Sequence, residues 1–346
     1  MADFSEPRKV LTSDDVLPPV EPPSAGFIVQ LFVVPAIIVV IIVMLWMAFH
    51  WLAQMGSEPR VYLQQIEQDN ANSWFAANKL AEELRTNESL KDDRAVARQL
   101  ATMLEAQITA AHMDDDKIRL RIFLCKALGE FHVSDGLPAL LKAATTQRQP
   151  VEDDVRRSAI EAVALLIGNA PQSLARQQLT VEALPTLLAA SRDDSPRVRE
   201  PAAFALGAIG GQQPIARLVE MLGDTHANTR YNAATGLARH GNSACVKVLA
   251  EMLDVAELQL DAGEAEGLNQ VEVGQARDFK RALIGINGMR AIAQLRKADP
   301  QADMTALRTA VQGLLDSKLE GQFTDVSYAM ELRAHAGELK KQMTSN

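Results

Sequence analysis

The most uniform hydrophobic pattern in the chain lies near its start. Residues 22–57 contain no Asp, Glu, Lys or Arg, and 37–44 are almost purely isoleucine and valine. The apolar core of this stretch, 27–53, opens on Phe27 and closes on Ala53. At about 1.5 Å per residue it reaches roughly 40 Å as a helix, more than a hydrocarbon layer of about 30 Å. A bilayer satisfies no loose backbone groups, so the pattern predicts one continuous transmembrane helix over 27–54, kinked at most by Pro35. Trp46, Phe49 and Trp51 cluster with His50 at its far end, where amphipathic rings suit the headgroup level. A cleaved signal peptide would need a basic leader, an apolar run of about 7–15 residues and a small-residue cleavage site. The stretch has none of these.

Beyond the apolar run the period changes to that of amphipathic helices. Ser57, Glu58 and Pro59 form a helix start, for a helix ending near Gln68. Ser73 is placed to cap a second helix, with Trp74, Ala77, Leu80, Ala81 and Leu84 at helical spacing. A third runs over 92–109 on Val96, Leu100, Met103, Leu104 and Ile108. Together, 57–112 are expected to be an N-terminal helical cap.

From residue 113 the chain repeats itself. Asp193, Asp194, Val198, Arg199, Ala202, Ala205, Leu206 and Gly207 define a unit that recurs upstream as Asp115, Asp116, Leu120, Arg121, Leu124, Ala127, Leu128 and Gly129. Downstream it recurs as Asp224, Thr229, Arg230, Ala233, Gly236, Leu237 and Ala238, and a weaker copy holds Val155, Arg156, Ala159, Ala162 and Val163. From Arg121 to Arg156, Arg199 and Arg230 the steps are 35, 43 and 31 residues. Each copy is followed by a second apolar helix, at 137–141 and 184–188 in the form Leu-Pro-x-Leu-Leu, with proline in the first turn. The alanines let helices approach closely, and the glycine after them is expected to end the first helix. Such a hairpin cannot bury its apolar face alone, so stacked neighbours must complete the core.

The paired aspartates, the Val-Arg step and the Ala-x-x-Ala-Leu-Gly run resemble HEAT repeats, especially the short form of phycobilisome-lyase-like proteins. The resemblance covers 113–254 and implies an all-α solenoid with a binding surface. It implies a ladder in which Arg121, Arg156, Arg199 and Arg230 pair with aspartates of their own or the next unit, Asp115, Asp193 and Asp224 holding those positions. Metal-binding HEAT enzymes that resemble deoxyhypusine hydroxylase depend on repeated His-Glu pairs, and this sequence has no His-Glu dipeptide.

Residues 255–275 carry many acids, no basic residue and three glycines counted from 254, which predicts a solvated loop insertion. The helical pattern resumes in 276–346. There Lys280 stands near the arginine position, and 303–318 and 325–342 read as closing helices. Residues 1–26 have five prolines and five acidic side chains, the pattern of a disordered tail.

Charge and composition narrow the function. The chain has a net charge of -9 and no run of five basic residues, so no nucleic-acid footprint is present. With only 5% aromatic residues, its apolar content suits stacked helices. Cys125 and Cys245 fall at core positions of the repeat, where buried thiols are inert, and His240 fills a gap at a helix end. No catalytic constellation, cofactor motif or metal cluster is legible. The expected function is a membrane-tethered scaffold or adaptor that binds a protein partner, and serves in the assembly of a membrane complex. The alternative is a phycobilisome-lyase-like enzyme acting on a client. Candidate partner-binding residues on the second helices are Lys142, Arg217, Glu220, Lys247 and Glu251. Arg8 and Lys9 before the span favour a cytoplasmic N-terminus, with the repeats on the opposite side.

Overall fold

The computed structural model describes residues 26, 29–54, 59–148, 152–170, 173–260 and 262–344. The expectation of a disordered tail over 1–26 lies almost wholly outside them, as do the Ser57 and Glu58 of the expected helix start. Two compact units are present, 1–58 and 59–346. No strand occurs among the described residues.

In the first unit a π-helical turn, Val29–Val33, leads into helix α1, Val34–Gln54. The expected single helix therefore changes type beside Pro35. Proline has no N–H for the carbonyl four residues back and its ring crowds that oxygen, and a wider turn relieves both. The segment Val29–Phe49 is long and apolar enough to cross a membrane, and none of it is buried.

The second unit is a double layer of helical hairpins. After α2 (Pro59–Glu67) come α3 (Ser73–Thr86) and α4 (Arg94–Ala110), then α5 (Asp115–Gly129) and α6 (Leu137–Thr145). The series continues with α7 (Asp153–Asn169), α8 (Ser173–Ala190), α9 (Pro196–Ile209), α10 (Gln212–Met221), α11 (Ala227–Arg239) and α12 (Val246–Met252). A single turn, α13 (Ala262–Ala265), precedes the long α14 (Gln270–Ala298), and α15 (Thr305–Asp316) and α16 (Val326–Thr344) close the array. Helices α3, α5, α7, α9, α11, α14 and α16 pack side by side as one layer, and their hairpin partners form the other. The core between them is a continuous strip of buried Leu, Ala, Ile and Val.

Several local expectations change. Hairpin α3–α4 stacks on α5 as the later hairpins stack on each other, so the array begins within the stretch read as a cap. Ser73 is the first helical residue instead of the cap. Its hydroxyl accepts from Asn70 N–H at 3.0 Å and donates to the Gln65 carbonyl, fastening the turn before the helix. Pro185 does not start its helix but sits inside α8. It deprives the carbonyl of Val181, whose exposed position leaves that oxygen to water. The acidic stretch is shorter and less solvated than its composition predicts. Val255 and Leu258 are buried, and α14 begins at Gln270, where Asn269 and Glu272 form a reciprocal capping box.

The glycine of the repeat ends its helix in α5, where Gly129 is the last helical residue, but not in α9. Gly207 lies within α9 and Gly236 within α11, and a Cβ added to Gly207 would stand 2.6 Å from the Gly236 Cα. Gly129 meets Ala162 of α7 in the same way, at 2.8 Å. These positions are helix crossings where backbones touch. The stop in α9 is Gly210, at φ +66°, where a side chain would overlap the His240 ring.

Candidate functional site

The polar heart of the array is a run of arginines on the α5–α14 layer. Arg121 is fully buried, donating to Glu152 at 2.8 Å and to the His112 carbonyl. Arg156 pairs with Asp153 and Asp193. Arg199 gives Asp224 two N–H bonds, at 2.8 and 2.9 Å, and one each to the Asp193 and Asp194 carbonyls. Arg230 pairs with Glu251, whose carboxylate also accepts from the Tyr231 hydroxyl. Three of these four rungs reach from one hairpin to the acid that opens the next.

The partners differ from the expected aspartates at both ends of the row. Glu152 serves Arg121, and Glu251, taken as a partner-facing residue, serves Arg230. Asp115 occupies the first turn of α5, whose cap is Asp114. A fifth rung, at Arg281 instead of the neighbouring Lys280, is built on carbonyls alone: Leu258, Ala256 and Gln322. Beside it buried Asp278 accepts from the Thr324 N–H. The one-residue displacement has a simple cause, since the insertion breaks the period by which the row was followed. Arg281 shares with Arg156 alone an aspartate three positions earlier, Asp278 and Asp153, so the spacing of the other rungs did not point to it.

Burial and pairing set the electrostatics. Burial opposes the Asp224 charge, but the Arg199 bonds and the His226 N–H outweigh it and hold the carboxyl below its ordinary range. Burial and the Glu251 carboxylate both push the Tyr231 hydroxyl up. Burial alone pushes the Cys245 thiol up to about 12, and raises that of Cys125 further, so both are unreactive. Among the described residues no group of three His, Cys, Asp or Glu side chains is arranged to hold a metal ion.

The other candidates for partner contact lie in the α6–α12 layer, where only Arg217 and Glu220 meet. Lys142 and Lys247 are exposed on separate helices. Arg217 is held by the Ser191 hydroxyl and carbonyl and by Glu220, which joins two adjacent hairpins.

Two clefts open on the opposite layer. A cleft of ≈ 420 Å³ lies against α9, α11 and α14, and one of ≈ 340 Å³ against α3, α5 and α7. Near the second, Trp74 stacks on Phe123 at 6.0 Å, with the Arg119 guanidinium over Trp74 and the Lys126 amine over Phe123. Exposed Leu165, Phe204 and Leu283 continue an apolar series along the same layer.

Comparison with known families agrees with this geometry. The family described as HEAT repeats matches residues 184–266, and that described as HEAT-like repeat matches 153–209. The chain carries HEAT repeats over these residues. The helical stacking continues on both sides of the matched residues, since the hairpins from α3 to α15 pack in one series. No curated protein matches the chain. HEAT solenoids present extended surfaces suited to protein interaction, which is the class of function this fold supports.

Proposed function

We propose that this HEAT protein is a membrane-tethered scaffold that holds a protein partner on the layer formed by α3, α5, α7, α9, α11 and α14. The observation that carries the reading is the unequal packing of the two layers. Backbones touch at Gly129/Ala162 and Gly207/Gly236 in this layer, and the layer with the shorter helix spacing lies inside the curve of a solenoid. Its face keeps two clefts and exposed Phe204, Leu165 and Leu283. Apolar groups of this kind, left without an intrachain partner, suit a protein ligand. The seat therefore moves away from Lys142 and Lys247 on the other layer. The unburied apolar helix supplies the tether, and assembly of a membrane complex is the same reading with a subunit as partner.

Alkaline extraction of membranes tests the tether. The full chain should stay in the pellet and a variant lacking 27–54 should be released, and release of both overturns the reading. Protease protection in sealed vesicles, with a tag at residue 346, then fixes the side. Protection of the tag agrees with a cytoplasmic N-terminus.

A further inference from the structure

The larger cleft has a chemistry of its own. Arg239 on α11 and Arg290 on α14 each stand nine residues after a rung, Arg230 and Arg281, so equivalent positions of adjacent helices bring both guanidiniums to one cleft. Among the described residues neither enters an ion pair, and Arg239 gives a single N–H bond to the Gly207 carbonyl at 3.2 Å. Lys280, at the other end, is paired with Glu264 at 2.7 Å. Glu200 stands on the α9 wall, where its field also acts on Arg157. Two unpaired arginines (+2), one balanced pair (0) and Glu200 (-1) leave the cleft at +1, within a chain of net charge -9. Like charges sharing a cleft repel, and a carboxylate lying between them relieves the repulsion with charge-assisted bonds.

The remaining lining selects the form of the anion. Asn287 and Gln294 each offer a donor and an acceptor, the pair of functions that a peptide group presents. Phe204 and Leu283, 47% and 44% exposed, add apolar surface in the same cleft. We propose that the cleft binds an extended acidic peptide segment of the partner. Its carboxylates bridge Arg239 and Arg290, its backbone meets Asn287 and Gln294, and its apolar side chains lie on Phe204 and Leu283. This deepens the scaffold reading and rests on it.

The test uses the full chain in phosphatidylcholine nanodiscs and a terminally blocked, dye-labelled peptide, Asp-Leu-Glu-Leu-Asp, with a counterpart carrying lysine at each acidic position. Fluorescence anisotropy should detect the acidic peptide alone, with affinity falling as salt rises. Each of R239Q and R290Q should weaken binding about tenfold and the pair about a hundredfold, with the melting temperature unchanged. F204A should weaken it without altering the salt slope. Equal binding of the lysine peptide, equal binding by R239Q/R290Q, or no binding of the acidic peptide at millimolar concentration overturns the proposal. A native partner recovered equally by wild type and R239Q/R290Q overturns this seat and leaves the scaffold reading intact. Release of the full chain by alkaline extraction removes the tether instead, whatever the peptide does.

Discussion

Arg121 and Glu152 form an ion pair with side chains 0% and 1% exposed. Removing water from two charges costs nearly as much as their attraction returns, so such a pair is worth little against an apolar substitute. Breaking it is another matter, because one charge is left buried. Arg121→Ala or Glu152→Ala should each lower stability by about 3–5 kcal/mol, and Arg121→Met with Glu152→Leu should recover most of that loss. Denaturant midpoints of the four proteins check the pattern. Asp224 has a pH signature. Its folded-state pKa lies below the ordinary 3.8, so the stability it supplies is complete above that value and lost as pH falls through the lower folded value. The acid limb of a melting-temperature profile should therefore flatten in Asp224→Asn, which is less stable at neutral pH. The arginines were legible in the sequence because one large cation recurs against small apolar neighbours. Two of their acids, Asp193 and Asp224, were legible with them; Glu152 and Glu251 were not, since a carboxylate reaches a guanidinium from several backbone positions.

At the scale of elements, two kinds of glycine behave oppositely. Gly207 touches the Gly236 backbone, so Gly207→Ala must part α9 from α11 and should cost about 1–3 kcal/mol in spite of alanine's better helix propensity. Gly313, in α15, has nothing within 4 Å of its added Cβ, and Gly313→Ala should stabilise by about 0.5–1 kcal/mol. Thermal melts of the two single variants give opposite signs if the crossing reading is correct. Sequence pattern revealed the existence of most helices but misread punctuation. Pro185 and Gly207 carry the marks of a start and a stop, yet both lie within helices. Tertiary contacts outweigh such local signals, since Pro185 deprives only an exposed carbonyl and Gly207 is needed for its lack of a side chain.

For the whole molecule, the apolar run and the repeats were visible from the sequence because each rests on periodicity, which survives without knowledge of contacts. The choice of layer was not. Two helices of one hairpin have similar amphipathic patterns, and only the backbone contacts between successive hairpins distinguish the layer drawn tight from the one left wide. The cleft was likewise hidden, because Arg239 and Arg290 are 51 residues apart and become neighbours only through the stacking of α11 and α14.

The handover of acids along the ladder also has a mechanical meaning. Arg121, Arg156 and Arg199 each clasp the hairpin that follows, whereas Arg230 holds an acid of its own hairpin and Arg281 is tied to carbonyls. Among the described residues, no arginine of the row joins α12 to α14 by an ion pair, as Arg121, Arg156 and Arg199 join the preceding hairpins. Hydrogen exchange should open the first turns of α14 before α9, at equal depth of burial. If the proposed partner pulled against the proposed tether, the array should yield first at this joint, beside the α9–α11–α14 cleft.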